Sequence, residues 1–282
     1  MASSARGAAL GEHGRGVGWR CCCASCRHET SITAGTLFEK THKPLPTWFK
    51  AMWWVTSQKT GASALGLQRI LGLGSYETAW LWLHKLRPAM VRSGRERLRG
   101  CVEVDETYVG GVEEGVKGRE THKKSIVVIA IEVLSPKGFG RLRMRRIADC
   151  SEASLTPFIV EAVESGSVVA TDGWKGYSSS KLIKAGYKHS PTNISASGDP
   201  AHVVMPAVHR VASLLKRWLL GTHQGSVSAK HLDYYLDEFT FRFNRRRSKH
   251  RGKLFFRLMQ QAVAVEPMTY REVVGRSEPT AG

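Results

Sequence analysis

Apolar and polar positions along the chain change period several times, and each change marks an element. Residues 102–109 alternate as a short strand closed by Gly110-Gly111, with Glu103 and Asp105 on one face and Glu106 on the other. Residues 125–133 are a continuous apolar run, as in a central strand, and 142–147 alternate apolar residues with arginine. Helical spacing follows at Leu155, Phe158, Ile159, Ala162 and Val163, then a buried strand over 168–172 that ends on Asp172, and a short fifth strand over 187–190. Two more helices are predicted over 207–220 and 228–244. Upstream, an aromatic helix opens near Thr47 as its N-cap. Two further helices, 62–71 and 76–90, flank a Gly-containing turn with Ser75 placed to cap the second.

Three strands, a helix and a strand returning in parallel is the order of a ribonuclease H-like mixed sheet flanked by helices. A right-handed crossover through the helix would set the fourth strand beside the first and bring Asp105 near Asp172. The alternative for the acidic stretch is an edge strand with its carboxylates turned to water. The domain plan is a disordered N-terminus (1–18), a partial zinc ribbon (19–37), a helical, helix-turn-helix-like domain (38–98), the α/β domain (99–265) and a tail (266–282).

Charge narrows the function. Among 282 residues, 42 Lys and Arg face 24 Asp and Glu, a net charge of +18, which points to a polyanionic partner, with DNA the commonest. No apolar run is long enough to span a bilayer, and the N-terminus carries no signal pattern, so a cytoplasmic protein without membrane association is expected. Four of six cysteines fall in 21–26, and Cys23-x-x-Cys26 has the spacing of half a zinc knuckle. No second pair precedes it, and a remnant that binds no metal is the alternative. Two carboxylates at neighbouring strand ends, without His or Cys beside them in sequence, suit Mg²⁺ or Mn²⁺; in two-metal phosphoryl-transfer sites such groups hold ions about 3.5 to 4 Å apart. DNA contacts are expected from Lys85 and Arg87 near the second helix of the pair and from the basic stretch containing Arg242, Arg245, Arg246 and Arg247.

Val102 to Gly111, Thr171-Asp172-Gly173-Trp174-Lys175-Gly176-Tyr177, and His231 through Asn244-Arg245 resemble the ISXO-type insertion-sequence transposases, and Thr33 to Thr36, Trp48 and Gly74 to Trp80 are similar to their N-terminal region. The resemblance spans about 19–263. It implies a DDE-class bacterial transposase with a ribonuclease H-like core, metal-dependent, cutting and joining DNA at the terminal inverted repeats of its own element and at a target, as a homo-oligomer on DNA. Asp105 and Asp172 are then the first two catalytic acids. The third position, usually Glu or Asn seven residues before a Lys, falls on His209, before Lys216. The alternative leaves His209 at a helix start and gives the third place to Glu238 or Glu106. Lys175, Lys216 and Arg217 join the expected DNA contacts. The departures are the missing first cysteine pair and the histidine itself. An inactive or domesticated DNA-binding relative and an unrelated ribonuclease H-like nuclease are the competing functions.

Overall fold

The computed structural model describes residues 8–11, 20–92, 94–111, 123–193, 198, 200–225 and 227–275. They divide into two compact units, one built from the N-terminal 90 residues and 249–276, the other from 91–248.

The first unit begins with a three-stranded antiparallel sheet, β1 (Ala8–Gly11), β2 (Arg20–Cys23) and β3 (Glu29–Ser31), in that order. Part of the segment expected to be disordered is therefore a strand; the rest of 1–18 lies outside the described residues. Helix α1 (Leu45–Ser57) starts three residues earlier than its sequence cap suggested, with Pro44 in place of Thr47 at the cap. Pro44 and Pro46 suit a first turn because the amides they lack have no intrahelical partner there, and Thr47 instead donates its backbone N–H to Pro44 O at 2.9 Å. Helix α2 (Ala64–Leu71) is capped by Ser63, whose Oγ accepts from Gly66 N, and stops at Gly72, which takes the left-handed φ of 60° that favours glycine. Ser75 caps α3 (Tyr76–Leu86) as expected, its Oγ accepting from Glu77 N at 3.1 Å. The stacked indoles of Trp48 and Trp82, 3.8 Å apart, lock α1 to α3.

In the second unit β4 (Cys101–Val109), β5 (Ser125–Val133) and β6 (Phe139–Ile147) form an antiparallel meander. Helix α4 (Glu152–Ala162) then crosses to β7 (Val168–Thr171), parallel to β4, and α5 (Ser179–Lys184) leads to β8 (Lys188–Pro191), parallel to β7. The sheet order is β6-β5-β4-β7-β8, so the acidic strand is central and the edge-strand alternative fails. This mixed five-stranded sheet flanked by helices is consistent with a ribonuclease H-like fold.

Two apolar layers cover the sheet. On one face Val102, Val104, Val128 and Ala130 pack against Leu155, Phe158 and Ile159 of α4. On the other, Val127, Ile129, Ile131, Leu142 and Met144 pack against α7 (Pro206–His223), which follows the short α6 (Ala201–Val204), and α8 (Leu232–Asn244). The remaining helices, α9 (Arg251–Ala262) and α10 (Tyr270–Gly275), belong to the first unit, whereas the sequence plan grouped residues up to 265 with the α/β domain.

Candidate active site

Strand β4 delivers acids to both faces of the sheet, and the two faces use them differently. Glu103, buried on the α7 face, accepts from the backbone N–H groups of Ala207 and Val208, both at 2.9 Å. Those amides are among the first of α7 and have no intrahelical acceptor, so the carboxylate caps the helix from across the sheet. Burial pushes the Glu103 carboxyl above its ordinary value against the pull of these two bonds. Two residues on, Asp105 shares that face and is 8% exposed; its Oδ1 accepts from Glu106 N at 2.9 Å.

Asp172 follows the last residue of β7. The parallel register pairs Glu103 with Ala170, so β7 stops opposite the middle of β4 and Asp172 comes level with Asp105. Asp172 Oδ1 accepts from Trp174 N at 3.0 Å across Gly173, whose φ of +75° suits glycine. Glu106 turns to the opposite face and accepts from the buried Tyr177 hydroxyl at 2.8 Å, whose own titration burial and the neighbouring Glu106 push well up. Beyond the end of β7, where that edge of β4 is no longer paired, the two faces meet. Asp105, Glu106 and Asp172 each bring a ligand atom within 4.8 Å of the others, and among the described residues no other group of three or more His, Cys, Asp or Glu does so.

The segment after Asp172 is tightly packed. Trp174 Nε1 donates to Cys150 O at 2.9 Å, and a Cβ on Gly176 would overlap that same carbonyl. Gly176→Ala must therefore displace the turn that orients Asp172. We expect a loss of about 1–3 kcal/mol in stability, to be read by chemical denaturation.

His209, in the first turn of α7, points its Nε2 at Asp105 Oδ2, 3.7 Å away. That nitrogen is buried and has no hydrogen-bond partner, and burial, aided by His202 and Lys216 against the pull of Asp172, lowers its pKa, so the imidazole is neutral. Lys216 lies two turns on along the same helix, its own pKa lowered by burial and by Lys124. The donor set of three carboxylates fits a divalent cation, and the His209 nitrogen lies beside Asp105.

Residues 97–244 match the ISXO2-like transposase domain family, over half the chain. The chain belongs to this family. It is also 26% identical over 237 residues, 78% of this chain and 76% of the relative, to an uncharacterized protein in transposable element ISH50 of Halobacterium salinarum. Among solved structures, the simian T-cell lymphotropic virus intasome in complex with PP2A regulatory subunit B56 gamma is 14% identical over 69% of this chain and 70% of that one, with a TM-score of 0.34, too low to bear on the fold.

The basic residues expected to touch DNA divide by what already holds them. Arg87 is 1% exposed, with Nη1 3.3 Å from both ring nitrogens of His84, and so it is not a surface residue. Lys85 is half-buried, its pKa lowered by desolvation. Arg242 donates through Nε and Nη2 to the fully buried Glu238, both at 2.9 Å, and completes an internal ion pair; Glu238 is thereby placed away from the acid group. Arg245 and Arg246 stack over Phe241 and Phe243, and Arg246 also donates to the carbonyls of Phe139, Gly140 and Phe243. Arg247 and Arg217 are exposed. Lys175 lies beside Asp172 in sequence, its ammonium 5.5 Å from the Trp174 ring.

Cys23 at the end of β2 and Cys26 on the turn after it are exposed, and hydrogen bonds from the backbone of Cys26 and Ser25 lower the Cys23 pKa. Among the described residues they gain no further ligands for zinc. Sequence reasoning missed the capping role of Glu103, because the helix it caps begins about a hundred residues later. The one available signal was that Glu103 sits two residues before Asp105 on a face otherwise apolar.

Proposed function

We propose that this chain is a DDE-class transposase of a bacterial insertion sequence, binding the terminal inverted repeats of its element and catalysing metal-dependent strand cleavage and transfer. The observation that carries the reading is the convergence of Asp105 and Glu106, from the middle of β4, with Asp172, just past the end of β7, in a chain of this family. Asp105 and Asp172 would hold Mg²⁺ or Mn²⁺, with Glu106 completing the carboxylate group and His209 supplying a neutral nitrogen. An ion held there would activate an attacking oxygen and stabilise the charge developing on the leaving oxygen.

The protein's own groups set up the rest. Tyr177 orients Glu106, the Trp174 amide orients Asp172, and Glu103 fixes the helix that carries His209 and Lys216. Lys216, a partly desolvated ammonium, binds a phosphate oxygen near the acids. The helical unit and its α2–α3 pair would recognise the element's ends, and the exposed arginines would hold flanking or target DNA in an oligomer. The test is incubation of the full chain with a duplex bearing the inverted repeats and with Mg²⁺ or Mn²⁺. Cleavage and joining support the reading, cutting without joining indicates a nuclease, and binding without either indicates an inactive relative.

Two variants probe the third ligand. His209→Ala is expected to lower strand cleavage by roughly 10–100-fold, and His209→Glu to recover part of it with Mg²⁺, because a carboxylate restores charge that an imidazole lacks. Single-turnover cleavage reads both. Full activity of His209→Ala would place the third ligand at Glu106.

A further inference from the structure

Beside α4, at the edge strand β6, a cavity of about 480 Å³ is lined by five arginines, Arg92, Arg95, Arg97, Arg143 and Arg145, and by one carboxylate, Glu161. Phe158 and Ala162 of α4 supply its apolar wall. Period two explains the arrangement. The arginines of β6 alternate with Leu142 and Met144, which enter the core on the other face, so Arg143 and Arg145 emerge together beside α4.

The charges do not balance. Arg145 is paired with Glu161 and lies 5.6 Å over the Phe158 ring. Arg143 is 5% exposed, and among the described residues its guanidinium donates to the carbonyl oxygens of Leu142 and Glu96 and to no carboxylate. Burial and the nearby Arg95 and Arg141 push it down to about 10 against the opposing pull of Glu132 and Glu96. Arg95 is also lowered by burial, and Asp237 and Glu161 only partly offset that. Gathering guanidinium groups around a half-enclosed space is costly unless an anion completes the set. Their planar forks match the oxygens of a phosphate, and the volume admits a sugar with its phosphate rather than a lone ion.

We infer that this cavity binds the sugar–phosphate backbone of DNA at a second site, separate from the acid group. The inference rests on the reading of the chain as a DNA-acting enzyme. Arg145 pairs across the sheet with Val128, and Val128 with Glu106, on the same face. The rim of the cavity is therefore two strand spacings, ~10 Å, from the acidic strand. The cavity and the acids thus engage different phosphates of the bound DNA.

The test is fluorescence anisotropy of the full chain with a random-sequence 30-base-pair duplex, over a range of NaCl, in EDTA so that no cleavage intervenes. Arg95→Ala/Arg97→Ala is expected to reduce the slope of log affinity against log salt by roughly 1–2, one unit for each phosphate no longer neutralised. Lys184→Ala/Lys188→Ala, which removes the same charge around β8 at the opposite edge of the sheet, should change it by much less. Equal effects from the two pairs would show net charge alone and overturn the proposal. So would pyrophosphate binding that is abolished in the arginine variant while the DNA slope stays unchanged, since the cavity would then serve a small phosphate. Should the arginine variant fail to fold, Glu161→Gln decides instead: removing the one carboxylate should tighten DNA binding by roughly threefold, and no change overturns the proposal. Absence of cleavage in the presence of metal, with the slope result intact, would sink the transposase reading and leave this one standing.

Discussion

Asp105→Ala or Asp172→Ala is expected to lower metal-dependent DNA cleavage by at least about 1,000-fold while leaving DNA affinity nearly unchanged. Each carboxylate contributes a ligand oxygen to a group whose ligand atoms lie within 4.8 Å of one another. With one removed, the remaining two acids and the neutral His209 hold a divalent ion less well, and several kcal/mol of transition-state stabilisation go with it. DNA affinity follows the basic surface and does not depend on acids that repel phosphate. Isothermal titration with Mn²⁺ in the absence of DNA gives a readout independent of turnover: wild type should bind and either variant should not. Unimpaired Mn²⁺ binding together with unimpaired cleavage in both variants would remove the site.

Glu103→Ala is expected to be the most damaging substitution that leaves the acid group itself intact. It strands two buried amides, Ala207 N and Val208 N, at the start of α7. Leaving such donors unsatisfied costs about 1–3 kcal/mol, and loss of a negative charge at the helix N-terminus adds to it. Because His209 lies one residue beyond these amides, the loss should also reach activity. We expect cleavage to fall by about tenfold or more in protein that is still folded at 25 °C. Glu103→Gln keeps an oxygen acceptor and should recover most of the stability, which separates a positioning role from any direct part in catalysis. Denaturant melts of the three proteins, paired with single-turnover cleavage, measure it. Equal cleavage rates for wild type and Glu103→Ala would show that the cap does not position His209.

Much of the α/β unit was legible because its signals are local. A continuous apolar run over 125–133 belongs to a strand covered on both faces, alternation in 142–147 belongs to an edge strand with one core face, and Ser75 ahead of a helical period is a cap. Period two also separated Glu103 and Asp105 from Glu106, and the handedness of the crossover made Asp105 and Asp172 neighbours. The sequence by itself therefore determined the order of the elements, the basic character of the surface and two of the acids.

What it did not determine depends on pairing between distant segments. Glu106 joins the acid group although it leaves β4 on the other face, because β7 has ended by that level and Asp172, just past its end, can be reached from both sides. Glu103 was drawn away to α7 by amides whose position no local pattern reveals. Arg87 and Arg242 read as DNA contacts in a basic chain, yet one is buried against His84 and the other neutralises Glu238, since a charge's partner is chosen by packing and not by sequence spacing. The arginines of β6 looked like an ordinary solvent-facing alternation. Only the return of residues 92–97 alongside that edge gathers five guanidinium groups around one cavity, and that long-range juxtaposition is set by tertiary structure alone.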